Sequence, residues 1–146
     1  MRLFQHTIVV QRPREVVFEF FTDWSRGPLW RQYVTSMERE DAGPLRVGSR
    51  VRFVVDLLGE EMTYHMTVLA LEPPALWRHH TNEAHFTGYI EYRFEETSGG
   101  TRVTFTCEAK PKTLLGWLAL PQMVLARGKA YRDQLPRLKR VMEGTD

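Results

Sequence analysis

Residues 86–109, FTGYIEYRFEETSGGTRVTFTCEA, decide the fold. Phe86, Gly88, Ile90, Tyr92 and Phe94 alternate with Thr87, Tyr89, Glu91, Arg93 and Glu95. Beyond Ser98-Gly99-Gly100, Val103, Phe105, Cys107 and Ala109 alternate with Arg102, Thr104, Thr106 and Glu108. Successive strand side chains point to opposite sides, so a period of two gives one dry face and one wet face. The glycine pair between the runs folds them into an antiparallel hairpin. Glu91, Arg93 and Glu95 against Arg102, Thr104 and Glu108 read as cross-strand charge pairs that solvate the wet face and hold the register.

The same period extends upstream. Val51, Phe53, Val55 and Leu57 alternate with Arg50, Arg52, Val54 and Asp56, and Gly59-Glu60 turns the chain. Met62, Tyr64, Met66 and Val68 then alternate with Thr63, His65, Thr67 and Leu69, until Pro73-Pro74 ends the ladder for want of N–H donors. Leu76–Thr81 forms a short strand before the turn at Asn82-Glu83-Ala84. Near the start, Phe4, His6, Ile8 and Val10 share one face of a further strand. Pro13 suits the first turn of a helix carrying Val17, Phe18, Phe20 and Phe21, which Asp23, Ser25, Gly27 and Pro28 break. A second short helix from about Pro28 sets Trp30 and Val34 one turn apart.

Downstream, Leu118, Val124, Leu125, Tyr131, Leu135, Leu138, Val141 and Met142 fall broadly on one helical stripe, and Gly144 marks the end. The expected helix runs from about Leu120 to about Met142, kinked at Pro136, whose ring crowds the carbonyl one turn back. Leu114–Pro121 reads either as earlier turns of that helix or as an apolar lid hinged at Gly116 and Pro121. The order predicts an α+β fold: six or seven antiparallel strands wrapped around a long C-terminal helix, with two short helices after the first strand. One helix of about 10–12 Å diameter cannot fill the concavity of such a sheet, so large side chains plug the hollow or a cavity remains.

At 146 residues, the chain suits a single domain over 1–146. A hydrophobic fraction of 42% excludes a disordered chain, and a net charge of +2 gives no basic stripe for nucleic acid. One cysteine, Cys107, excludes an internal disulfide. LFQHTIVV at residues 3–10 is too short and polar for an export signal, and Thr113–Ala126, the longest uncharged run, is shorter than the roughly twenty residues of a membrane span. A cytoplasmic location without stable membrane insertion is the expectation. No phosphate loop, serine elbow or trusted metal-ligand spacing is present, so neither metal nor cofactor is expected.

The candidates for chemistry are few. Tyr64 and Tyr92 fall on inward faces, where a hydroxyl needs a partner, either protein or ligand. His79 and His80 are adjacent on a strand and cannot serve one metal. His80, Glu83 and His85 flank a turn, His6 reads as a satisfied core histidine, and His65 as exposed. Cys107 reads as a buried, inert thiol. Trp30, Trp77 and Trp117 read as wall or mouth residues, or as ordinary core.

The landmarks together resemble the START-like helix-grip superfamily, and within it the polyketide cyclase/dehydrase and lipid-transport (SRPBCC) family. They are Arg12-Pro13 with Val17-Phe18 and Asp23, Gly48-Ser49-Arg50, Glu72-Pro73, Gly100-Thr101-Arg102-Val103-Thr104, and Leu138-Lys139-Arg140-Val141-Met142-Glu143. The resemblance implies an interior cavity for apolar or aromatic ligands and carries over no catalytic motif. The expected activity is binding of a hydrophobic small molecule, whether aromatic, polyketide-like or lipid-like. The expected walls are Phe53, Tyr64, Met66, Trp77, Ile90, Tyr92, Phe105, Trp117 and Tyr131, with help from Val124 and Leu135, and few charges inside. Two alternatives stay open. One is a cyclase or dehydratase using Tyr64, Tyr92 or His79 as acid or base; the other is a protein-interaction module.

Overall fold

The computed structural model describes residues 1–31, 33–57 and 59–144, the side chain of Leu57 excepted, so that the facing expected of Leu57 lies outside the described residues. Strand β1 (Arg2–Val10) leads into helix α1 (Arg14–Thr22), a 3-10 turn (Trp24–Arg26) and the one-turn helix α2 (Gly27–Trp30). Six strands follow: β2 (Val34–Arg39), β3 (Arg50–Leu57), β4 (Glu60–Glu72), β5 (Leu76–Asn82), β6 (Phe86–Thr97) and β7 (Gly100–Pro111). Helix α3 (Leu114–Glu143) ends the described fold. The sheet is seven-stranded and antiparallel, in the order β1-β7-β6-β5-β4-β3-β2.

The alternation in residues 86–109 sets the facing as expected. Tyr92, Phe94, Val103, Phe105 and Cys107 are buried and Ile90 is half-buried, whereas Arg93, Glu95 and Arg102 are exposed; Glu91 and Thr104, on the wet face, are only half-exposed. The register pairs Tyr92 with Phe105 and Glu95 with Arg102. Glu91 takes its cations from elsewhere: Arg93 on its own strand at 2.7 Å and Arg78 on β5 at 3.5 Å.

Two boundaries depart from the sequence reading. Val34 opens strand β2 and does not continue α2. The four-residue spacing of Trp30 and Val34 mimics a helix turn, but the chain turns extended at Arg31 and takes positive φ at Tyr33. Helix α3 also begins six residues before Leu120, at Leu114, capped by the Thr113 hydroxyl, which accepts from Gly116 N–H at 3.1 Å. Pro121 and Pro136 both lie inside this helix.

Gly116 is therefore a docking point and not a hinge. A Cβ there would collide with the carbonyl oxygen of His85 in the β5–β6 turn. The same carbonyl accepts from Lys112 N–H at 2.7 Å, and His85 Nδ1 meets the Thr113 hydroxyl at 2.8 Å. The first turn of α3 is thus fastened to the sheet, while Leu114, Leu115, Trp117 and Leu118 face outward. Leu118 and Leu125, expected on the inward stripe, are exposed; Gln134, Leu135 and Leu138 carry the burial.

Candidate functional site

The helix does leave a hollow. A cavity of about 160 Å³ lies between the concave face of the sheet and α3. Period-two facing builds its walls: Phe86, Gly88, Ile90 and Tyr92 come from β6, and Phe105, Cys107 and Ala109 from β7. Phe53 and Val55 of β3, Tyr64 and Met66 of β4, and His79 and Thr81 of β5 continue the surface. From α3 come Met123, Arg127, Ala130, Tyr131 and Gln134, whose three- and four-residue spacing gathers them on one face.

Seven of the residues expected in the walls meet here: Phe53, Tyr64, Met66, Ile90, Tyr92, Phe105 and Tyr131. The others lie elsewhere. Trp77 is fully buried in an aromatic stack, 4.9 Å from Trp24 and 5.4 Å from Tyr92, where it backs the wall without lining it. Trp117 is 54% exposed on the outer face of α3, because the helix starts early enough to turn it away from the sheet. Val124 and Leu135 are likewise outside the lining, and Trp30 is buried against Phe21.

The polar groups are more numerous than the sequence suggested. The Tyr92 hydroxyl accepts from Gln134 Nε2 at 2.8 Å. The Tyr64 hydroxyl accepts from Arg127 Nη2 at 3.4 Å. Burial pushes the hydroxyls of Tyr64, Tyr92 and Tyr131 above the usual phenol range, so all three stay protonated at neutral pH. Burial raises the Cys107 thiol to about 11, which keeps it from acting as a nucleophile. His79 is buried, and burial followed by the Arg31 charge pushes it well below its usual range, so its imidazole is neutral.

Two arginines correct the expectation of few charges inside. Arg31 and Arg127 both line the cavity. Arg31 follows α2 directly and is only 8% exposed. Its guanidinium lies 4.4 Å from the Trp30 ring centroid and 5.4 Å from that of Trp77, so aromatic faces receive the charge. Sequence reasoning missed it because an arginine beside Trp-Arg-Gln looks like surface. Only β5 and β6, which bring Trp77 and Tyr92, make the position interior.

Other candidates separate. His65 is exposed and bonds Glu40 at 2.6 Å. His80 is packed near Tyr89, and His85 serves the Thr113 cap. Among the described residues, no three His, Cys, Asp or Glu side chains cluster as a metal set. No helix among them is long and apolar enough to cross a membrane.

The fold and cavity define a START-like helix-grip protein, and comparison with known families agrees. The chain matches the family described as polyketide cyclase / dehydrase and lipid transport over residues 1–143, and it belongs to that family. Comparison with curated proteins finds no significant match. Among solved structures, it is similar to the Zhui aromatase/cyclase from Streptomyces sp. R1128, with a TM-score of 0.79 at 17% identity over 96% of this chain and 92% of that one. It is also similar to a START superfamily protein from Mycobacterium smegmatis, with a TM-score of 0.78 at 13% identity over 98% of both chains. The di-domain ARO/CYC StfQ from the steffimycin biosynthetic pathway gives a TM-score of 0.74 at 14% identity, over 97% of this chain and 50% of that one. The chain thus spans about half the length of such di-domain structures.

Proposed function

We propose that this protein binds a hydrophobic, ring-containing or lipid-like small molecule in the cavity between the sheet and α3. The observation that supports the reading is the cavity itself. Its volume of about 160 Å³ matches that of engineered protein cavities of about 150 Å³ that take up benzene, and aromatic and aliphatic side chains supply most of its walls. Binding draws its free energy from apolar burial, about 25 cal/mol per Å² of surface removed from water. Among the polar groups of the wall, those of Tyr64, Tyr92, Gln134 and the two arginines fix orientation. A compact ligand of one or two fused rings fits the space best.

The test is a calorimetric titration of small aromatic and alicyclic compounds into the wild type and into Cys107→Leu, which places a larger side chain in the cavity wall. The expected result is saturable binding by wild type and at least tenfold weaker binding by the variant, with an unchanged unfolding midpoint. Absence of binding across the panel overturns the proposal.

A second reading is an enzyme of the cyclase or dehydratase type. It draws on one arrangement: neutral His79, protonated Tyr92 and cationic Arg31 share one region of the wall. Under that reading, Tyr92→Phe lowers turnover by a hundredfold or more with little change in binding. Under simple binding, it weakens affinity by only about 0.5–1.5 kcal/mol.

A further inference from the structure

Arg31 is the anomaly of the cavity. A guanidinium removed from water is costly without an opposite charge. No carboxylate among the described residues lies within 4.0 Å of Arg31, although eleven ion pairs form elsewhere in them. Its Nη1 donates to the Met37 sulfur at 2.8 Å, a weak acceptor, and its buried Nη2 has no partner among the described residues. The titratable groups that act on it, Tyr92 and Tyr131, are uncharged at neutral pH. Glu83 and Glu108 line the cavity without pairing with it. Close by, His79 presents a second orphan, a buried Nδ1, with its ring 5.0 Å from Trp77. The other cation, Arg127, is already engaged with the Tyr64 hydroxyl.

We infer that the ligand is an acid: an apolar ring system bearing one carboxylate, which Arg31 receives in the cavity. This rests on the binding reading above and narrows it. The carboxylate accepts from Nη2 of Arg31, and His79, neutral, is placed to donate through its unpaired ring nitrogen. A cation on which no carboxylate acts calls for a monoanion. A phosphate dianion brings a second charge, for which the described wall offers only Arg127, already beside the Tyr64 hydroxyl and under the influence of the Glu83 carboxylate. The planar fork of arginine suits a carboxylate better than any neutral carbonyl, and the Trp30 and Trp77 rings lie beside that fork. The rest of the ligand lies against Ile90, Phe105 and Met66.

The experiment compares 2-naphthoate with its uncharged isostere 2-naphthamide by calorimetry, on wild type, Arg31→Met and Arg31→Lys. Wild type is expected to bind the acid at least about tenfold more tightly than the amide. Arg31→Met, which keeps length and apolar contact, is expected to lose the preference and bind acid and amide about equally. Arg31→Lys keeps part of the preference, since it retains the charge and loses the fork. Equal binding of acid and amide by wild type overturns the inference and leaves the cavity reading standing; so does a preference that survives in Arg31→Met. If neither compound nor any neutral aromatic binds, the cavity reading fails and this inference fails with it. Should Arg31→Met not fold, the wild-type and lysine measurements decide alone, read also as the larger thermal-midpoint shift by the acid.

Discussion

The two ends of the concave sheet face carry the same kinds of side chain and have opposite fates. At one end, Phe21 sits 4.6 Å from Trp30, 4.8 Å from Tyr92 and 5.0 Å from Phe94, and Trp24 meets Trp77 edge-on. At the other, Phe53 stacks on Tyr64 and Phe105 leans on Tyr131, yet space remains between them. The difference lies in the cover. Helix α1, the 3-10 turn and α2 all press on the first end, whereas the second is roofed mainly by α3, with Arg31 and Tyr33 reaching in from the segment after α2. A hollow thus comes from how many elements reach a surface, with no special residue composition needed to make it.

Breaking the packed end should cost most. Trp77→Ala is expected to destabilise the protein by about 3–5 kcal/mol in chemical denaturation, because the rings around it are held by three separate elements and cannot collapse into the space. A loss under 1 kcal/mol would mean that this end is no better packed than the other.

His79 stands between the two ends and sharpens the contrast through pH. Its folded-state affinity for protons is depressed by burial and then by Arg31, so the unfolded chain binds the proton more readily. Its burial is therefore harmless above about pH 6.5 and costs stability as the pH falls below that value, by up to about 1.4 kcal/mol per pH unit. Unfolding free energies from about pH 8 to pH 5 should show this slope in wild type and lose it in His79→Phe. An unchanged slope would place the imidazole in contact with water. The smallest effect belongs to the hollow. Ile90→Val removes one methylene from a wall already facing space, so its cost should fall at or below about 0.5–1 kcal/mol, the low end for this change in a core.

The sheet and the closing helix were readable in the sequence because they obey long, regular periods. The run from Phe86 to Ala109 needed only its own alternation. Strand β2 was not readable: Val34–Arg39 is six residues long, with only Met37 fully buried. The outer turns of α3 were half readable, since Leu114-Leu115-Gly116-Trp117-Leu118 has helix-forming residues, but which way they face depends on the His85 carbonyl that fits only against Gly116. Within the site, alternation alone placed Tyr64, Ile90, Tyr92 and Phe105. Arg31 and Gln134 escaped because a polar residue becomes interior only through distant partners, Trp77 and Tyr92 in one case and Tyr92 in the other.

The strand order also sets a sequence in time. Every neighbouring pair in the sheet except one joins strands consecutive along the chain, and these can zip as local hairpins. The exception is β1 against β7, where Ile8 faces Val103. Strand β1 must wait, with Phe4, Ile8 and Val10 unshielded, until almost the whole meander has formed. So long-range a pairing belongs to β-rich topologies, whose folding falls on the order of milliseconds to seconds. The cavity takes walls from both partners of that pairing, Phe4 of β1 and Phe105 of β7.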